Sequence, residues 1–123
     1  MKNILSILLV FPFFCFCQTN YYVATSGNDT NNGSFEAPWQ TIQYSVSQLY
    51  FGDTLNITSG TYVGKIDLIE SGTPENEITI RNYNNDNVII SGATLSDYEY
   101  LLKIENINYI NIEGLKFQDY QRL

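Results

Sequence analysis

The amino-acid sequence predicts an all-β chain, a parallel β-helix of about three coils behind an N-terminal cap that contains a short amphipathic helix. Three observations predict it. From Leu55 onward, short Ile-rich runs alternate with Gly, Asn, Asp and Ser, a pattern of strands and turns without helical periodicity. Two apolar series, Ile57, Ile80 and Ile104 and then Ile66, Ile89 and Ile112, recur with one shared spacing. Repeats of about 20 to 25 residues, each holding two or three strands, are the mark of a solenoid, and both series fall in that range. Ahead of them, Ile42, Val46 and Leu49 fall at i, i+4 and i+7 and form one helical stripe.

Composition narrows the function classes. The chain has 123 residues, 13 Asp plus Glu against 6 Lys plus Arg, and no His. One domain of modest size is the most that fits. Triads, Cys-His pairs and His-ligated zinc sites are excluded. A net charge of -7 disfavours nucleic acid and anionic membrane surfaces as partners, because both demand an excess of Lys and Arg.

The N-terminus points to export. Lys2 precedes an apolar run from Ile4 to Phe16, about the length of a secretory h-region and short of the ~20 residues of a transmembrane segment. Residues 1–17 read as a signal peptide cut between Cys17 and Gln18. Lipid attachment at Cys15 or Cys17 is the alternative, disfavoured because Phe14 and Phe16 stand where a small residue is the rule. Cleavage leaves residues 18–123, which keep every acid, lose Lys2 among the bases and contain no cysteine. Without disulfides, an exported domain of this size needs repetition, metal or a large core.

Residues 18–54 form the predicted cap: within 21–51 a short strand, a polar Gly/Asn loop, then the helix, with Pro38 near its start and Gly52 past its end. Such a helix covers the open end of a solenoid. Trp39 and Tyr50 read as core or cap aromatics. Residues 55–123 form the coils, with strands at Leu55–Thr58, Lys65–Ile69, Ile78–Tyr83, Val88–Ser91, Leu101–Asn106 and Ile110–Phe117. That stretch divides into three coils at the shared isoleucine spacing and ends just after a strand whose open edge is a pairing liability. On the same register, Asn82 sits beneath Asn106, Arg81 beneath Glu105 as an exposed ion pair, and Thr79 beneath Lys103.

One loop carries metal-type residues. Asp29 and Asn31, ahead of Gly33, place oxygen side chains at alternating positions and are weak Ca2+ candidates. A calcium loop would want a bidentate Glu at its twelfth position, where Gln40 stands, and Asn, Asp and Gly are also the ordinary turn residues.

The run YYVATSGNDTNNGSFEAPWQTIQYSV, the Gly52-Asp53-Thr54 turn, the strand Leu55 to Thr58, the Ser59-Gly60-Thr61-Tyr62 turn and SGTPENEITIRNY together resemble the opening of secreted bacterial right-handed parallel β-helix proteins of the pectate-lyase-like group. The resemblance implies a right-handed fold and an extracellular polysaccharide, acidic in the lyase case, as partner. For a lyase it implies β-elimination: Ca2+ held by Asp and Glu acidifies the C5 proton of a uronate, and a Lys or Arg removes it. The bases after residue 17 are Lys65, Arg81, Lys103, Lys116 and Arg122. None is given clustered acids by the isoleucine register, so the catalytic residues are expected beyond this chain. A polysaccharide lyase or a glycoside hydrolase, the latter with two carboxylates about 5 to 10 Å apart, is one class of function. A non-catalytic surface adhesin or carbohydrate-binding β-helix is the other.

Overall fold

The computed structural model describes residues 18–96 and 99–119, so the predicted signal peptide and Arg122 lie outside the described residues. Among the described residues the chain forms nine short strands, one helix and one 3-10 turn. In order the strands and helix are β1 (Asn20–Val23), α1 (Ile42–Ser47), β2 (Thr54–Ile57), β3 (Gly60–Val63), β4 (Ile66–Asp67), β5 (Ile78–Asn82), β6 (Val88–Ser91), β7 (Leu102–Lys103), β8 (Ile110–Glu113) and β9 (Leu115–Gln118). Three parallel sheets result, ordered β1-β2-β5-β8, β3-β6-β9 and β4-β7. We call them sheets A, B and C. Each turn of the chain visits A, then B, then C, which is a parallel β-helix.

Alternation along each strand decides what faces inward. In sheet A, Tyr21, Leu55, Ile80 and Ile112 stand in one inward row, and Ile78 and Ile110 in another. In sheet B the rows are Val88 with Leu115, and Tyr62 with Ile90 and Phe117. Leu55, Ile57, Ile78, Ile80, Val88 and Ile90 are all but inaccessible. Among the described residues β7, β8 and β9 end their sheets, and Ile110, Ile112 and Leu115 beside them are only half-buried. The opposite end is closed by α1 and the residues after it: Ile42 and Val46 of the helix and Leu49 just past its end are buried as the stripe predicts.

The helix begins later than Pro38 implies. Thr41 is its N-cap, its hydroxyl accepting from Tyr44 N–H at 3.3 Å. Trp39 is buried and stacks on Tyr21 at 4.8 Å, as expected for a cap aromatic. Tyr50 is not: it is 67% exposed.

The register of equal coils is corrected. In sheet A, Thr54 lies opposite Thr79 and Ile78 opposite Ile110, so the second step is longer than the first, and in sheet C the step from Ile66 to Leu102 is longer still. Sheet B steps from Gly60 to Val88 and then to Leu115, again farther than the isoleucine spacing. The turns therefore differ in length from coil to coil, and the equal Ile spacings join residues in unlike places: Ile57 faces Asn82, and Ile89 lies between Thr61 and Lys116. Arg81 neighbours Asn56 and Glu113 rather than Glu105, Thr79 neighbours Asn111, Lys103 neighbours Asp67, and Asn82 is level with Ile57 rather than Asn106. The segment from Gly60 to Val63, read as a turn, is a strand. The single strand expected over Ile110–Phe117 is two, because Gly114 turns the corner at φ +69°, where a Cβ would run into the Asn82 side-chain amide.

Ile80 sits in the middle of the longest inward row. Ile80→Ala is expected to cost about 2–5 kcal/mol in urea denaturation, while Ile69→Ala, 60% exposed, changes stability by less than about 0.5 kcal/mol.

Candidate functional site: a charged strip beside an open groove

Sheet C is the shortest of the three, yet it gathers the densest set of charges. Ile66 and Leu102 pair and Asp67 pairs with Lys103, so the outer side of this sheet carries Lys65, Asp67, Lys103 and Glu105. Ile66 is buried, and its alternation turns Lys65 and Asp67 the other way. Lys65 Nζ lies 3.8 Å from Asp67 and 3.8 Å from Glu99, and Lys103 Nζ lies 3.0 Å from Glu105. The expectation that no base has clustered acids is thus overturned for Lys65. Asp67 lies two residues further along the chain, and Glu99 comes from the loop ahead of β7, which the long step between β4 and β7 sets beside Lys65.

Each charge has a local support. The Glu99 carboxylate accepts from the backbone N–H of Ser96 at 3.0 Å and from its hydroxyl at 3.2 Å. The Ser96 N–H, then its hydroxyl, and lastly Lys65 hold Glu99 below the ordinary carboxylate range. The hydrogen bond to Glu105, its charge, and at longer range Asp67 push Lys103 above the ordinary lysine value. Lys103 is therefore a fixed cation near neutral pH, suited to pairing with anions and unsuited to taking a proton. All of these groups are at least one-third exposed, so they stabilise the fold little and stay available to a ligand.

Beside the strip an open groove of about 550 Å³ runs between the start of α1 and the corner from β3 to β4. Gln43, Thr61, Val63 and Lys65 are among its lining residues, with Tyr62 and Ile66 behind them. The Gln43 side-chain oxygen accepts from the Asp67 N–H at 3.0 Å and ties α1 to β4. The groove offers hydroxyls, amides, one cation and the exposed apolar face of Val63.

Asp29 and Asn31 lie elsewhere and do local work. Asp29 Oδ1 accepts from the N–H groups of Gln40 and Thr41 at 2.8 and 2.9 Å, and Oδ2 from the Thr41 hydroxyl at 2.7 Å. The Asn31 amide donates to Pro38 O at 3.0 Å, and its backbone carbonyl accepts from the Trp39 indole at 2.8 Å. The Asp29 oxygens are thus turned toward donors and the Asn31 side chain is itself a donor, an arrangement that anchors the loop to the start of α1. It does not fit a calcium ion, and no step is derived through one.

Three comparisons set this fold among known proteins. Residues 21–122 match the family model described as Pel9A-like, right-handed β-helix region. The chain belongs to that family, and the helix is right-handed. It is 40% identical over 101 residues to the uncharacterized protein YwoF of Bacillus subtilis, covering 80% of this chain and 22% of that protein. It is 37% identical over 76 residues to pectate lyase PEL9 of Emericella nidulans, covering 60% of this chain and 18% of that protein. The chain therefore spans about a fifth of these relatives. Among solved structures, a rhamnogalacturonan lyase superposes with a TM-score of 0.69 at 18% identity over 80% of this chain and 28% of its own. Pectate lyase Pel9A superposes at 0.55 and 22% identity over 83% of this chain and 27% of its own.

The Asp29 anchor has a pH signature. Partial burial works against its ionisation, but the N–H and hydroxyl of Thr41 and the N–H of Gln40 outweigh it and hold the carboxyl below its ordinary value. Because folding lowers this value, the stabilisation is complete above the unfolded-state pKa of about 3.9 and is lost as pH falls through the lower folded one. Asp29→Ala is expected to lose about 1 kcal/mol at pH 7, and the gap to the unaltered protein should close below about pH 4 when melts are compared across pH.

Proposed function

We propose that this chain is the N-terminal part of an exported protein that acts on extracellular polysaccharide, with pectate-lyase-like β-elimination as its chemistry and the bond-breaking residues in coils outside this chain. The observation that carries the reading is the juxtaposition, on a Pel9A-family β-helix, of an exposed strip of alternating lysines and carboxylates with an open groove lined by hydroxyls and amides. The pectate lyase relative supports the choice of substrate class. In this reading Lys65 pairs with a uronate carboxylate and the groove takes the neighbouring sugar. Lys103 serves binding rather than proton transfer, since its partners keep it charged. Export rests on the leader at 1–17, and mass spectrometry of the protein recovered from culture medium is expected to show a chain beginning at Gln18. A lipid-modified start at Cys15 or Cys17 would overturn that cleavage.

The enzymatic reading is tested by incubating the full-length protein with polygalacturonate, rhamnogalacturonan and xylan, with Ca2+ and with EDTA. A calcium-dependent rise in absorbance from unsaturated uronate ends on the acidic polymers is expected. Binding without turnover on any of them would favour the non-catalytic surface protein. Lys65→Gln is expected to raise KM for the acidic polymer about fivefold with kcat little changed, the loss shrinking as salt is added.

A further inference from the structure

Sheet A has an outward face that the charged strip does not use. Its residues stand in two rows across the strands: Asn20, Thr54, Thr79 and Asn111 in one, and Tyr22, Asn56, Arg81 and Glu113 in the other. Asn56 is 1% exposed although it belongs to the outward set. Its amide donates to Asn20 Oδ1 at 3.2 Å and to Tyr21 O at 3.3 Å, and its oxygen accepts from Arg81 Nε at 3.0 Å. A buried, fully engaged amide thus fixes the direction of an exposed guanidinium. Glu113 is engaged by the amide of Asn111. Arg81 makes no ion pair among the described residues, and the Asn56 bond uses only its Nε, leaving the Nη fork for a ligand.

At the end of the same face stand three rings outside the hydrophobic core. Tyr22 meets Phe35 edge-on at 5.3 Å and Tyr83 at 5.6 Å, and Phe35 lies 5.7 Å from Tyr83. Phe35 is 55% exposed. The turn that carries Tyr83 is pinned: the Asn82 amide donates to Asp86 O at 2.9 Å, Asp86 Oδ2 accepts from Ser59 N–H at 3.1 Å, and Asn84 and Asn85 hold φ of 47° and 59°. Two consecutive side-chain-bearing residues in the left-handed region are costly and persist only where the surroundings hold them.

We infer that this face is a second saccharide-binding site, separate from the groove, that takes a uronate-containing oligosaccharide. The inference rests on the polysaccharide reading above and extends it. A sugar presents an apolar C–H face and a rim of hydroxyls, which suit an aromatic platform with Asn and Thr alongside. A uronate adds a planar carboxylate, which suits the free fork of an arginine held at its Nε. Rows repeat at about 4.8 Å across the strands. Arg81 lies two strands from Tyr22, so an oligosaccharide lying along the solenoid axis sets one ring on Phe35 and Tyr22 and brings the carboxylate of the next residue but one to Arg81.

The test is calorimetric titration of the full-length protein with tri-galacturonate, in EDTA so that no calcium bridge contributes, with a neutral xylo-oligosaccharide as comparison. Arg81→Gln is expected to weaken tri-galacturonate binding about tenfold and to leave the neutral sugar unaffected. Phe35→Ala is expected to weaken both about fivefold. Lys116→Gln, on the outer side of sheet B, should change neither. Should Phe35→Ala lower the melting temperature, Phe35→Leu keeps the bulk without the ring, and undiminished binding by it overturns the stacking. If the full-length protein binds tri-galacturonate and the Arg81 and Phe35 variants bind as tightly, this site is wrong and the polysaccharide reading stands. If it binds neither sugar in EDTA or with added Ca2+, both fall.

Discussion

Parallel stacking sets the side chains of each coil directly above those of its predecessor, and the inner rows of this chain answer to that constraint. Tyr21, Leu55, Ile80 and Ile112 occupy one inward row because a residue of another character there would open a cavity or strand a polar group between layers. The backbone hydrogen bonds of one coil are completed by the next, so neither the core nor the ladder exists for a coil alone. α1 closes the first layer with Ile42 and Val46, joined by Leu49 just past its end, and meets no ladder hydrogen-bonding requirement in doing so.

The same stacking arranges charge. The triplets Lys65-Ile66-Asp67 and Lys103-Ile104-Glu105 have the same character, and a register that set one on the other would bring Lys onto Lys and Asp onto Glu. The observed register is offset from that by two positions, so Asp67 faces Lys103. Like charges directly opposite destabilise a sheet, and opposite ones stabilise it. The strip is therefore a consequence of how β4 and β7 align, and its alternating signs leave a surface that meets anionic groups without a strong net field. The outside of sheet A differs: amides, hydroxyls, one guanidinium and one carboxylate, with three rings at its end.

The elements are legible in the sequence because short Ile-rich runs and turn residues are local signals. Val88–Ser91 matches its expected bounds, and the stripe of Ile42, Val46 and Leu49 is buried as read. Register is not legible. It depends on turn lengths, and isoleucine is common enough here to give equal spacings by accident, so Ile57 and Ile80 look equivalent when Leu55 and Ile80 are. Gly60–Val63 is hidden because its Ser-Gly-Thr start reads as a turn. The charged strip follows register into obscurity, although the repeated Lys-Ile-acid triplet is a signal that could mark it. Asp29 stands out for the right reason, an oxygen-rich loop, but its donors at Gln40 and Thr41 are separated from it by a loop that only folding closes.

Between sheets A and B the chain turns through Thr58 and Ser59 in the first coil, through residues 83–87 in the second, and through Gly114 alone in the third. The strands on either side keep their pairing regardless. The corner is therefore a place where residues can be gained or lost over generations without disturbing the interior. Tyr83 is the aromatic of the longest of these corners. One bend can thus be lengthened or trimmed, reshaping the outer surface beside it, while the stacked scaffold is kept unaltered.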